Sequence, residues 1–125
     1  MKTSQLLACG LGALDWKVRR TSRPLNIMIS LTNRCTSHCS YCDIPLREQD
    51  EPSTEELFSL IDQARELGAQ RLGFWGGEPL LRDDIVELVS YAHLAGLYVT
   101  LDTNGMLLER RLRVLDRLDH LLVAL

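Results

Sequence analysis

From Leu25 to Cys42 the chain reads LNIMISLTNRCTSHCSYC, an alternating run that passes without a break into a cysteine-bearing stretch. In an extended segment Leu25, Ile27, Ile29 and Leu31 share one face, and Asn26, Met28, Ser30 and Thr32 share the other. Period two predicts a strand with an apolar side and a more polar side. Parallel strands buried on both faces usually read as continuous apolar runs. The second face is therefore predicted to line a cavity, with helices packed on the first.

Downstream, strand and helix patterns alternate. After Pro52, Ser53 and Glu56 form a capping-box pattern; Leu57, Leu60, Ile61, Ala64 and Leu67 follow at helical spacing, and Gly68 is the stop. Gln70 to Trp75 reads as a second strand, with Trp75 taken for packing. A second helix starts near Asp83 or Asp84, presents Ile85, Leu88, Val89 and Ala92, and stops at Gly96. Leu97 to Thr103 is a third strand, with Leu97, Val99, Leu101 and Thr103 opposing Tyr98, Thr100, Asp102 and Asn104. A third helix is predicted over Leu107 to Leu118 and a fourth strand over His120 to Leu125. Acidic residues on the later helices read as solvated faces and caps. Ahead of all this, residues 4–20 suggest a short helix weakened by Gly10 and Gly12.

This order predicts an α/β fold of parallel βα units. A closed (β/α) barrel needs about 200 residues or more, so the expectation is a partial barrel. It stops after about three βα units and the start of a fourth strand. Ending on the apolar Leu125 leads us to expect a fragment. Residues 1–24 are expected as an N-terminal helical extension and 25–125 as the half-barrel domain.

Fourteen basic and seventeen acidic residues leave a formal charge of −3, which supplies no electrostatic reason for a nucleic-acid partner. No apolar run approaches the ~18 residues that span a bilayer. Leu6-Leu7-Ala8-Cys9 resembles a lipoprotein cleavage site, but its apolar stretch falls short of the roughly 7–15 residues of a signal core. A cytoplasmic location is expected. Of the four cysteines, three lie between Cys35 and Cys42, and such clustering points to metal rather than disulfides. Cys9, left over, reads as a small buried hydrophobe.

Three closely spaced thiolates can hold three irons of a [4Fe–4S] cubane and leave the fourth iron open to a small chelating molecule. The spacing C-x3-C-x2-C over Cys35, Cys39 and Cys42, with Tyr41 before the last cysteine, resembles the signature of the radical S-adenosylmethionine (SAM) superfamily. Three further segments are similar to that family: Thr32-Asn33-Arg34 leading into Cys35, Gly76-Gly77-Glu78-Pro79 after the second strand, and Thr103-Asn104-Gly105 after the third. They cover roughly residues 25–125, the N-terminal part of the family's core domain.

The resemblance implies a partial barrel of the radical SAM type, with Cys35, Cys39 and Cys42 as cluster ligands and SAM on the open iron. It implies reductive cleavage of SAM to methionine and a 5′-deoxyadenosyl radical that takes hydrogen from a substrate. Gly76 and Gly77 would offer backbone contacts, and Glu78 a carboxylate, to the SAM amino group. Tyr41 would lie near the adenine, and Thr103 and Asn104 near the cofactor. An external donor resembling flavodoxin or ferredoxin would supply the electron, and the substrate is not identified. The polar face of Tyr98, Thr100 and Asp102 is a candidate for substrate contacts.

Plainer readings stay open beside these. Gly76-Gly77 and Asn104-Gly105 are also common turn pairs. The cysteines with His38 or His93 could form a zinc site, although a single triplet on a long loop is unlike paired zinc knuckles. A truncated chain could carry a cluster as an electron carrier or as a remnant without catalysis.

Overall fold

The computed structural model describes residues 24–124 and, ahead of them, positions 3, 7, 10 and 11. Most of the expected helix over residues 4–20, and Cys9 with it, falls outside the described residues.

Four strands form one parallel sheet in sequence order: β1 (Asn26–Ser30), β2 (Arg71–Trp75), β3 (Tyr98–Thr103) and β4 (His120–Val123). Each strand lies beside its predecessor, the progression of a barrel wall rather than of a doubly wound sheet that reverses at its centre. Two helices connect the first three strands, α1 (Thr54–Glu66) and α2 (Ile85–Leu94).

The predicted capping box is present: the Glu56 amide donates to Ser53 Oγ at 3.2 Å, and the Ser53 amide donates to Glu56 Oε2 at 2.8 Å. Gly68 and Gly96 end the helices with φ of 86° and 87°, a region a side chain would strain. Leu57, Ile61 and Ala64 of α1 and Ile85, Leu88, Val89 and Ala92 of α2 are buried. They cover two rows across the sheet, Ile27–Leu72–Val99 and Ile29–Phe74–Leu101. The alternation in β1 and β3 thus fixes which face the helices cover.

The opposite face differs in detail from the expectation. Asn26 and Ser30 are exposed and Asp102 is half-buried, but Thr100 is only 3% exposed. Its neighbour in the register is Gly73, beside Met28. A Cβ built on Gly73 would lie 2.2 Å from Met28 Sδ and 3.0 Å from Thr100 Oγ1. The Met28 thioether therefore occupies the space that Gly73 leaves, and Thr100 is not offered as an open contact. Tyr98 lies under the Arg71 guanidinium, 5.4 Å from the ring centre. Trp75 is only partly packed, 37% exposed.

The third predicted helix is a correction. Leu108–Arg117 forms 3₁₀ turns broken at Arg111, where φ is −125° and ψ is 26°. Runs of 3₁₀ longer than three or four residues are uncommon, and the break coincides with an anchor. Arg111 donates to Asp83 Oδ1 at 2.6 Å and to the Leu80 carbonyl at 3.3 Å. Val114 is the segment's one buried residue, too little apolar surface to impose an α-helical stripe.

Candidate functional site

Past their last paired residues, β1 and β2 continue side by side. The Leu31 amide donates to the Trp75 carbonyl at 2.9 Å, Gly77 to the Thr32 carbonyl at 2.7 Å, and Glu78 to the Arg34 carbonyl at 2.8 Å. The segment leading into Cys35 and the Gly-Gly segment thus share one ladder. A Cβ on Gly76 would lie 2.5 Å from the Thr32 carbonyl oxygen, and one on Gly77 would lie 2.2 Å from that of Arg34. The paired glycines are required here because two backbones touch, and Gly76 also has φ of 132°.

The carboxylate of Glu78 is fully buried. Its Oε1 accepts from the Leu80 amide at 3.0 Å and from the Thr103 hydroxyl at 2.7 Å, and Oε2 accepts from the Asn104 amide at 2.8 Å. Thr103 Oγ1 accepts in turn from the Gly105 amide at 3.0 Å. Glu78 and Thr103 are committed to joining the ends of β2 and β3. In this arrangement the contact of the Glu78 carboxylate with a ligand ammonium, expected from the resemblance, is not available at the surface.

Cys35 and Cys42 are half-buried, Cys39 is exposed, and all three are free thiols. The Cys42 amide closes a turn on the Cys39 carbonyl at 3.1 Å. Tyr41 is 89% exposed, and its phenol is raised above its ordinary value, first by its hydrogen bond to Cys39. Asn104 reaches the same loop from the end of β3. Its Nδ2 lies 3.0 Å from Thr36 Oγ1, 3.0 Å from Ser37 Oγ and 3.8 Å from Cys35 Sγ. Its Oδ1 accepts from the Met106 amide at 3.0 Å, so the Asn104-Gly105 turn and the loop contact coexist. Of the residues expected at the site, the structure gathers Cys35, Gly76, Gly77, Glu78, Thr103 and Asn104 at the C-terminal ends of β1–β3. Tyr41 stands out into solvent.

Arg34, Glu51, Arg82 and Asp84, to which the sequence alone assigned no such role, close the cysteine loop at its base. Arg34 donates to Glu51 at 2.7 and 3.1 Å, and Thr32 also bonds Glu51. The Arg34 guanidinium lowers the Glu51 carboxyl, an effect that burial partly opposes. Deeper, Arg82 donates to the carbonyls of Leu31 (3.2 Å) and Pro52 (2.9 Å), residues on either side of the loop. Arg82 also pairs with Asp84 at 2.6 and 2.8 Å, holding that carboxyl below its ordinary value. Asp84 therefore serves as the partner of Arg82 and Thr54 and makes no side-chain cap on α2. Opposite charges flanking the loop, Arg34 before it and Glu51 after it, were the available signal.

The donor set fits a cubane cluster. Cys35, Cys39 and Cys42 are the only cysteines among the described residues, so three irons would have thiolates and the fourth none from them. Among the described residues no three His, Cys, Asp or Glu side chains are already gathered closely enough to hold a metal ion, so the three thiols would have to close on it. His93, weighed for zinc, sits on α2 with Nδ1 3.7 Å from Asp119 Oδ2. No helix among the described residues is long and apolar enough to cross a membrane.

Residues 29–125 match the model of the radical SAM superfamily. PqqA peptide cyclase from Gluconobacter oxydans (strain 621H) is 44% identical over 106 residues, covering 80% of this chain and 30% of that protein. Streptococcus suis SuiB bound to precursor peptide SuiA superposes at a TM-score of 0.70, with 22% identity, over 93% of this chain and 27% of that one. BtrN in complex with AdoMet and 2-DOIA superposes at 0.69, with 24% identity, over 82% of this chain and 46% of that one. At such identities the two structures speak for the fold alone. The chain spans less than a third of the curated relative's length.

Proposed function

This chain belongs to the radical SAM superfamily, and on that premise we propose that Cys35, Cys39 and Cys42 hold a [4Fe–4S] cluster whose open iron takes SAM. Held there, the cluster and SAM would supply one-electron cleavage of SAM and, through it, abstraction of hydrogen from a substrate. The observation that carries this reading is a loop of three free thiols held at the C-terminal ends of parallel strands, where such sheets bind ligands.

The contributions of the chain are positional. Gly76 and Gly77 keep the rim thin enough for backbone to face a ligand, and Glu78 holds the rim together from beneath. The ammonium of SAM would then meet backbone groups of this rim rather than the Glu78 carboxylate. Arg34, Glu51, Arg82 and Asp84 keep the base of the loop closed, which lowers the entropy lost on gathering three ligands. The electron comes from an external donor of the flavodoxin or ferredoxin kind.

For the whole protein we propose a peptide substrate. The support is the 44% identity to a relative named as a peptide cyclase, since this exceeds what fold alone demands.

The test is anaerobic reconstitution with iron and sulfide, reduction, and EPR with and without SAM. A [4Fe–4S]⁺ signal that changes on adding SAM, and is lost when Cys35, Cys39 and Cys42 become alanine, is the expected result. A cluster indifferent to SAM would favour the electron-carrier reading. A folded protein with no cluster would overturn the proposal.

A further inference from the structure

We propose that Asn104 is a positioning residue for the cluster: its carboxamide pins the Cys35 segment to the end of β3 and donates an N–H to the Cys35 sulfur. The inference rests on the cluster reading above, and it assigns Asn104 to the cysteine loop rather than to SAM.

Three contacts converge on one nitrogen. Nδ2 has two hydrogens, directed among Thr36 Oγ1, Ser37 Oγ and Cys35 Sγ at 3.0, 3.0 and 3.8 Å. The orientation of the amide is fixed from its other end, because Oδ1 accepts from the Met106 amide at 3.0 Å. The backbone is fixed as well, since the Asn104 amide donates to the buried Glu78 carboxylate at 2.8 Å. A held donor beside a ligating sulfur has a known electrical consequence. Hydrogen bonds to cluster sulfurs stabilise the more negative, reduced state and raise its potential. In the family's chemistry the cluster must accept an electron before it passes one on, so such a donor would ease its reduction.

Two variants separate pinning from donation. Asn104→Ala removes both. Asn104→Asp keeps an oxygen for the Met106 amide, and the Thr36 and Ser37 hydroxyls can turn to donate to the new carboxylate. It keeps the loop pinned but has no N–H for the sulfur.

The first measurement is made on metal-free, reduced protein by pulsed alkylation and mass spectrometry. Cys35 in N104A should label at least about fivefold faster than in the wild type, the change expected if even one of these hydrogen bonds, of ordinary net strength, holds the loop closed. Cys39 should not label faster in either variant, and Cys35 in N104D should not exceed the wild-type rate, since the added carboxylate can only disfavour the reactive thiolate. The second measurement is an EPR redox titration of the reconstituted cluster. Both variants should have more negative midpoints, and the neutral N104A must show the drop too, because added charge alone would affect only N104D. Equal Cys35 labelling in wild type and N104A overturns the pinning. Equal midpoints in all three proteins overturn the donation. A wild-type chain that takes up no cluster overturns the reading on which the donation rests, while the labelling result still decides the pinning.

Discussion

The Glu78 carboxylate accepts the Thr103 hydroxyl at 2.7 Å in a place that solvent does not reach. With the Asn104 amide on its other oxygen, one buried anion joins the ends of β2 and β3 and sets the distance between the Gly-Gly rim and the loop contact of Asn104. Glu78→Gln exchanges one accepting oxygen for an NH₂, which would then face another donor. Leaving a buried donor unpaired costs about 1–3 kcal/mol. The expected outcome is a loss of that size in urea unfolding. Thr103→Val, which removes a hydroxyl that donates to this carboxylate and accepts from the Gly105 amide, should cost a similar amount, and an E78Q protein of wild-type stability would refute the arrangement.

Gly77 and Gly96 make opposite predictions for the same substitution. A Cβ on Gly77 meets the Arg34 carbonyl at 2.2 Å, whereas one on Gly96 meets nothing within 4 Å. Gly96→Ala should cost about 1–2 kcal/mol from its left-handed backbone alone. Gly77→Ala must push two backbones apart and weaken the bond from the Gly77 amide to Thr32, so its loss should be larger. It should also reduce iron uptake on reconstitution, which Gly96→Ala should not. Denaturation midpoints and iron content of both variants check this pair.

Asp84 supplies a pH dependence. The Arg82 guanidinium holds its folded-state value below the ordinary 3.8, so the folded form binds the proton more weakly than the unfolded one. The stabilisation is therefore complete above the ordinary value and fades as pH falls through and below it. Asp84→Asn should destabilise by about 2 kcal/mol at neutral pH, the size of a hydrogen bond between charged groups. The gap between variant and wild type should begin to narrow as pH falls below that ordinary value. Unfolding curves across pH 2.5–7 measure it, and a gap constant over that range would count against the ion pair.

The parts of this architecture that could be read in advance are those whose causes are local. Ser53 and Glu56 are three residues apart, Gly68 and Gly96 act on their own backbone, and the alternation in β1 and β3 fixes which face the helices cover. The radical SAM membership was legible in the cysteine spacing together with the two rim motifs. What was not legible depends on partners distant in sequence. Glu78 resembles a ligand contact until Thr103 and Asn104 are brought to it, and Asp84 resembles a helix cap until Arg82 takes it. Thr100 looked like an open polar contact because nothing in its own strand reveals that Met28 leans across Gly73. The helix over Leu107 to Leu118 failed for a similar reason, with Arg111 anchored to Asp83 and Leu80 across the fold.

The pair between Arg34 and Glu51 divides global from local stability. The Arg34 side chain is 60% exposed, and ion pairs in such settings are worth about 0–1 kcal/mol to overall folding. Glu51→Gln should therefore leave the unfolding midpoint almost unchanged. Yet Glu51 also bonds Thr32, so this carboxylate ties the end of the loop to its beginning. Weakening it lets the loop open without unfolding the sheet, an opening that hydrogen exchange detects as a local event. The Arg34 amide, which donates to Thr32 Oγ1 at 3.0 Å, should exchange faster in E51Q, while amides in β2 and β3 keep their wild-type rates. Added salt should shrink the difference, because an exposed pair is screened. Uniformly faster exchange through β2 and β3 would instead mean that the pair supports the whole domain, and the closing role assigned to it would be wrong.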